Sequence, residues 1–317
     1  MDQRQLERFI DVVESGSLSR TSRRLNISQP ALSKSLRLTE EQLGIRLLER
    51  GPRGVRVTKY GDVFYKRART IVAQFRRAWE DLEALKGSTA GQVTLGATPG
   101  PGVLDRIVPA AVSRIAARRP SLRFTIRSGT AQELLPALLQ GDVDILFTVL
   151  EDHIKGPDLR IEQLFEDHFV LVVNRRHPLL ARQAIMLHDL AARRWAFLQD
   201  ASSLWHAVEE LARQQQIATQ APYETNSVMF VRTIVGQSDV IGVLPSHAAE
   251  IGAETGSLAC IPLERIAEHR VLPQLARPMG VVHSTVSDLT PAGAALLRSI
   301  KAVCRELQAA RRVNQIR

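Results

Sequence analysis

The sequence predicts an α/β protein with an all-α head, and three observations carry that class. Short amphipathic segments joined by tight turns fill the first fifty residues. One long apolar stripe at helical spacing follows them, and beyond residue 91 apolar runs of strand period alternate with helical ones. The 317 residues, 44% hydrophobic and 24% charged, suffice for two or three globular units.

In the head, Leu6, Phe9, Ile10 and Val13 recur at helical spacing, and Gly16 stands where a helix C-terminus favours a left-handed residue. Ser17 caps a second helix, Leu18 to Leu25, of about two turns. After Asn26 and Ile27, Ser28 caps a third, with Pro30 in its first turn, where a missing N–H costs no intrahelical bond. Leu32, Leu36, Thr39 and Leu43 line the buried face of that helix, and Gly44 ends it. Three short helices on tight turns read as a helix-turn-helix. Gly51-Pro52-Arg53-Gly54 then separates two short strands, Arg46 to Arg50 and Val55 to Val57, which make a wing.

Thr58 caps a long helix carrying Phe64, Ala68, Ile71, Val72, Phe75, Ala78, Trp79, Leu82 and Leu85. From Lys59 to Lys86 it would extend roughly 42 Å. The head is too small to cover such a stripe. Two partners are open to it: a second chain, or the chain's own C-terminal domain. Gly87 to Gly91 is small and polar, a natural hinge.

Beyond the hinge, Val93, Leu95 and Ala97 mark a strand, and a helix runs from Val103 to Ile115. Leu122, Phe124 and Ile126 mark the next strand, a helix covers Leu134 to Leu139, and Val143 to Val149 is a buried strand. This order argues for a parallel, doubly wound sheet. A second alternating set runs from about Ile161 to Leu263. The chain continues with a strand near Met279 to Val282 and a helix from Pro291.

Charge is unevenly placed. Residues 1–90 hold 18 Lys and Arg against 11 Asp and Glu, a net of +7, whereas residues 91–317 hold 24 against 22, a net of +2. A basic head on a near-neutral body suits a nucleic-acid partner. Cys260 and Cys304 make neither a disulfide framework nor a metal-ligand spacing, and no cofactor is expected. The start lacks a basic region followed by an apolar stretch, and no run approaches the roughly 18–20 apolar residues that span a bilayer. A cytoplasmic protein without a membrane partner is expected. Gly-x-Ser-x-Gly, His-Glu-x-x-His and Walker-type loops are absent from the sequence and its histidines are scattered, so an enzyme is not expected.

The run from Ser17 to Lys34, SLSRTSRRLNISQPALSK, closely resembles the helix-turn-helix of LysR-type transcriptional regulators. Glu40-Glu41-Gln42-Leu43-Gly44, Leu47-Leu48-Glu49-Arg50 and Val57-Thr58-Lys59-Tyr60-Gly61 keep that family's spacing. The resemblance covers residues 2–61 without a gap and continues more loosely to about residue 308. It implies a winged helix-turn-helix over 1–58 and a linker or dimerisation helix with hinge over 59–91. A periplasmic-binding-protein-like effector domain would follow over 92–308, with subdomain I at about 92–161 and 266–308 and subdomain II at about 162–265. Two departures stand out. Thr21-Ser22 replaces the family's Ala-Ala at the helix contact, and Thr39 replaces a Leu, where its hydroxyl can bond back to the backbone at a small stability cost.

The third helix would enter the major groove of double-stranded operator DNA with its leading turn toward the base edges. Gln29 can bond bidentately to adenine, and Ser33 and Lys34 lie within a turn of it. The resemblance makes Gln29, Pro30, Ser33 and Lys34 base-facing, while Ser28 positions the helix. Arg37 shares their side and is open to either a DNA contact or a solvated role. Arg53 and Arg56 in the wing could reach the minor groove or flanking phosphates. Two-fold operators need two heads, so a homodimer through the linker helix is expected. The resemblance adds a homotetramer, and RNA polymerase as a partner where the protein activates.

Ligands of open α/β sheets bind beyond the C-terminal strand ends, next to helix N-termini. On the family pattern, Thr98, Pro99, Gly100, Ser128, Thr130, Thr148, Ser202, Ser203 and Asn226 lie near a small-molecule effector between two subdomains. Hydroxyls and backbone N–H groups there suit a small organic anion. Arg127 and His206 could add charge, although strand alternation equally allows Arg127 to face solvent.

Overall fold

Helix caps define the head. In the computed structural model, which describes residues 1–51, 54–86, 91–98, 103–254, 256–261, 265–267, 276–286 and 288–315, α1 spans Gln3–Ser15. The Asp2 carboxylate accepts from the Gln5 N–H at 2.8 Å, the Gln5 side chain accepts from the Asp2 N–H, and the helix stops at Gly16 with φ 62°. Ser17 and Ser28 cap α2 (Leu18–Arg24) and α3 (Gln29–Leu43), their hydroxyl oxygens accepting from the Arg20 and Ala31 N–H groups. Thr21 and Ser22 are buried at the helix contact, and their hydroxyls donate to the carbonyls of Asp11 and Ser19 at 3.2 and 3.1 Å. Thr39, 1% exposed, donates to the Ser35 carbonyl at 3.1 Å, so its polar group is satisfied within the helix.

Leu43 departs from expectation. It is exposed, because the last turn of α3 runs past the core before Gly44 ends it. The wing is antiparallel, β1 (Leu48–Gly51) against β2 (Gly54–Val57), with Leu48 opposite Val57. Its first strand starts later than expected because the Glu40 carboxylate accepts the N–H groups of Leu47 and Leu48.

The long helix α4 (Lys59–Leu85) begins inside the core of the head, where Ala68 is fully buried and the Phe64 ring lies 5.1 Å from that of Phe9. Farther along, its faces part company. Ala73 and Arg77 are buried against the C-terminal domain, whereas Ile71, Phe75, Trp79, Leu82 and Leu85 are exposed. The chain's own domain thus covers one side of the helix and leaves the apolar stripe open.

The C-terminal domain starts with β3 (Gly91–Ala97). A π-helical turn over Val103–Ile107 leads into α5 (Val108–Ala116), where Pro109 sits in the first turn and has no N–H to give. β4 (Leu122–Ser128), α6 (Ala131–Gln140) and β5 (Ile145–Val149) follow. β3 lies between β4 and β5, parallel to both, as the alternating pattern required. The chain proceeds through β6 (Leu159–Asn174), α7 (Leu187–Ala191), β7 (Trp195–Leu198), α8 (Ser202–Gln214), β8 (Tyr223–Thr225), α9 (Val228–Gln237) and β9 (Ile241–Pro245). It continues with α10 (Ser246–Glu254), β10 (Leu258–Ile261), β11 (Ala276–Ser284) and α11 (Pro291–Gln315).

Strand order is β4-β3-β5-β11-β6-β9-β7-β8, with β10 also on β6. The sheet is mixed, because β11 and β6 run antiparallel to their neighbours. These two strands tie two half-sheets together: β6 pairs with β11 through His168 and with β9 from Phe169 onward. One core gathers Ile107, Phe147, Phe165 and Leu296; another gathers Trp195, Phe197 and Trp205. Trp195 is fully buried and donates to the Leu190 carbonyl at 3.0 Å, so its indole N–H is not stranded. Among the described residues no helix is long and apolar enough to cross a membrane.

Candidate nucleic-acid interface and effector cleft

The leading turn of α3 stands clear of the head. Gln29, Pro30, Lys34 and Arg37 are exposed while Leu32 and Leu36 on the opposite side are buried, so helical periodicity alone turns the polar residues outward. Ser33 is half-buried beside them, and Ser28 is an exposed cap. Arg56 is exposed on β2, in register with Glu49 across the wing; Arg53 lies outside the described residues. With basic side chains and the positive end of the α3 dipole on one surface, this face is built to meet an anionic duplex.

A joint of charged side chains connects the head-bearing helix to the C-terminal domain. Asp144, 4% exposed at the entry to β5, accepts from Arg76 and Arg77 at 3.4 and 3.3 Å and from the Thr94 N–H at 2.8 Å. Arg76 also donates to the Gly141 carbonyl at 3.1 Å, and Arg69 pairs with Asp142. Toward the head, Arg69 donates to the Tyr65 hydroxyl at 2.9 Å, and that hydroxyl donates to Glu14 of α1 at 3.1 Å. Burial is the main cause that pushes the Tyr65 phenol up, with Arg69 opposing it. A hydrogen-bonded chain therefore runs from the head to the domain that follows.

Gly141 caps α6 with φ 83° and packs on Ala73, so a Cβ there would overlap the Ala73 methyl. Gly141→Ala is expected to destabilise the protein by about 1–3 kcal/mol through left-handed strain and overpacking. Thermal unfolding checks this; an unchanged melting temperature would mean that α4 does not seat at this corner.

Hydroxyls gather at the strand ends. Ala97 is in register with Ser128 and with Phe147, so Thr98, Ser128 and Thr148 emerge along one edge, beside Thr130. In the other half Leu198 is in register with Thr225, which brings Ser202, Ser203 and Asn226 to the corresponding edge. Ser128, Thr130, Ser203 and Asn226 are exposed, Thr98 and Ser202 are half-buried, and Thr148 is 1% exposed, beneath that surface. Pro99 and Gly100 lie outside the described residues.

Helix starts set the local roles of these residues. Ser202 and Ser203 open α8 itself, after Ala201, so neither hydroxyl is spent on a cap. Ser227, next to Asn226, caps α9. Thr130 caps α6 by accepting from the Glu133 N–H at 3.3 Å, which leaves its own proton to donate. Arg127 is turned to solvent and His206 is exposed on α8.

Ion pairs bridge the two halves. Arg106, after β3, reaches Glu250 at 3.2 Å and Glu254 at 3.1 Å on α10. Arg277 on β11 meets Asp200, just before α8, at 3.2 Å, with its guanidinium 5.5 Å above the Phe169 ring. Where the halves join, His247 Nδ1 lies 2.9 Å from buried Asp167, and its ring, tilted by 39°, has its centroid 4.5 Å from that of Phe165. Sequence reading missed these residues. Their partners are far apart in the chain, 144 positions for Arg106 and Glu250, and no periodicity signals them. Burial pushes the Cys304 thiol up to about 12, so it stays protonated and inert at neutral pH.

Comparison with known proteins extends this picture. Residues 3–62 match the family described as bacterial regulatory helix-turn-helix protein, lysR family, and residues 86–305 match the LysR substrate binding domain. Over 264 residues the chain is 32% identical to the SDS degradation transcriptional activation protein of a Pseudomonas species, covering 83% of this chain and 85% of that one. Its fold is similar to a full-length OxyR variant from Pseudomonas aeruginosa, with a TM-score of 0.66, 20% identity, and coverage of 96% of this chain and 95% of that one. It is also similar to CbnR, a LysR family transcriptional regulator, with a TM-score of 0.59, 21% identity, and coverage of 96% and 99%.

Proposed function

This chain belongs to the LysR family, and on that premise we propose that a small organic anion, bound between its two α/β halves, controls how it holds or bends operator DNA. It is a DNA-binding transcriptional regulator with a substrate-binding domain, and its relatives are regulators rather than enzymes. The observation that carries the effector reading is the convergence of strand ends. Thr98 and Ser128 on one half and Ser202 and Ser203 on the other sit at matching edges, and β6, β11 and a few ion pairs join those halves. Helix N-termini and unspent hydroxyls favour an anion there. A ligand preferring one spacing of the halves would shift the population of head arrangements.

We read residues 1–58 as the head, 59–91 as linker and hinge, and 92–308 as the effector domain. A homodimer forms through the open stripe of α4, a homotetramer through further contacts of the effector domains, and RNA polymerase is engaged where the protein activates. Screening organic acids by thermal shift tests the cleft, since a ligand at about 100 times its Kd adds about 2.7 kcal/mol of stability. A hit whose effect survives Ser203→Trp would refute binding in the cleft.

At the DNA face, Gln29, Pro30, Ser33 and Lys34 read bases, Ser28 and Arg37 hold the backbone, and the wing arginines Arg53 and Arg56 grip flanking phosphates. Gln29→Ala is expected to relax discrimination at one base pair by about 1–3 kcal/mol. Arg56→Ala should instead weaken all sequences alike and reduce the salt slope by about one. Titration of operator variants at several salt concentrations separates the two; equal, sequence-blind losses would refute the assignment of Gln29.

A further inference from the structure

We propose that the groove between α4 and α6 is a second small-molecule site, which takes an amphipathic organic monoanion and lies outside the effector cleft. The groove encloses about 560 Å³. That falls inside the roughly 300–1,000 Å³ typical of small-molecule sites, which often lie where two units of a protein meet. Its floor is apolar, with Val63 from α4 and Leu135, Pro136 and Leu139 from α6. Val63 and Leu139 are 63% and 45% exposed, so water covers surface that a hydrocarbon body would dry. Pro136 lies inside α6 and presents a rigid ring in place of a flexible side chain, so little order is lost on binding.

The polar groups around that floor decide the sign of the ligand. Among the described residues no carboxylate lines the groove, whereas Lys66 and Arg67 do. Lys66 is shared with Asp62 at 2.8 Å along the same helix. Arg67 makes no ion pair among the described residues, and its guanidinium is free to answer an anionic head with charge-assisted hydrogen bonds. The amides of Gln132 and Gln140 add neutral donors at the rim.

The walls are held in place before any ligand arrives. Arg69 with Asp142, and Arg76 and Arg77 with Asp144, pin α4 beside the end of α6. The groove therefore sits against the joint between the head-bearing helix and the effector domain, and an occupant would wedge or brace that joint. It opens beside the exposed stripe of α4, which makes a second copy of the chain the competing occupant.

Octanoate, acetate and octan-1-ol serve as probes of the full-length protein, with the methyl resonances of Val63, Leu135 and Leu139 followed by NMR. Octanoate is expected to shift all three in a saturable way. Acetate lacks the apolar body and octan-1-ol lacks the charge, so each should bind at least about tenfold more weakly. Arg67→Gln should cost octanoate about tenfold and leave octan-1-ol unaffected, and Leu139→Asp should weaken both. The proposal is overturned if no saturable shift occurs, if octan-1-ol binds as tightly as octanoate, or if Arg67→Gln changes nothing. Shifts confined to the effector cleft overturn it too. So does binding that appears only after Phe75→Asp has separated two copies, because the groove is then covered in the intact protein.

Discussion

Asp144→Ala is expected to lower stability by about 3–5 kcal/mol, a large share of what holds a domain folded. The loss has two causes. Asp144 is 4% exposed and Arg77 is 7% exposed, so removing the carboxylate takes an ion-pair partner from a guanidinium held in a dry site. The Thr94 N–H loses its acceptor at the same time. Chemical denaturation followed through the buried tryptophans reads the effect. Asp144→Leu combined with Arg77→Leu should recover much of the loss, because an apolar pair of similar volume asks for no desolvation. A loss below about 1 kcal/mol in the single variant would mean that water reaches the joint and screens it.

Phe75→Asp with Leu82→Asp is expected to leave single subunits and to cut operator affinity by at least about a hundredfold. Ile71, Phe75, Ala78, Leu82 and Leu85 recur at the spacing of a coiled-coil seam, and Phe75 and Leu82 are 53% and 54% exposed. Both side chains are more than half exposed, so the fold should survive, as circular dichroism would verify. Two linked heads gain their second contact at high effective concentration; separate heads do not. Light scattering and operator titration together decide the matter. A double variant that still ran as a dimer would place the interface elsewhere.

The head was legible almost residue by residue. Its caps at Ser17, Ser28 and Gly16 and its buried row of Leu32, Leu36 and Thr39 are local signals, and each acts within a turn or two of itself. The wing was read with an early start because the carboxylate that claims Leu47 and Leu48 comes from Glu40, a neighbour in space. Hydroxyls near the effector cleft were placed by the edge of the sheet they emerge from. Their hydrogen-bond roles were not: Thr130 caps α6, neither Ser202 nor Ser203 caps α8, and Thr148 is covered.

Alternating periods along the chain determined the class of the second domain, and the spacing of apolar residues determined that α4 carries an apolar stripe, because the face a residue joins follows from spacing along one element. The tertiary structure alone decided that β11 returns between β5 and β6 and makes the sheet mixed. It alone also decided that Arg77 finds Asp144 across 67 positions. Such pairings depend on which faces meet once the chain has closed on itself, and a charge reads the same in the sequence whether it ends in water or against a buried carboxylate.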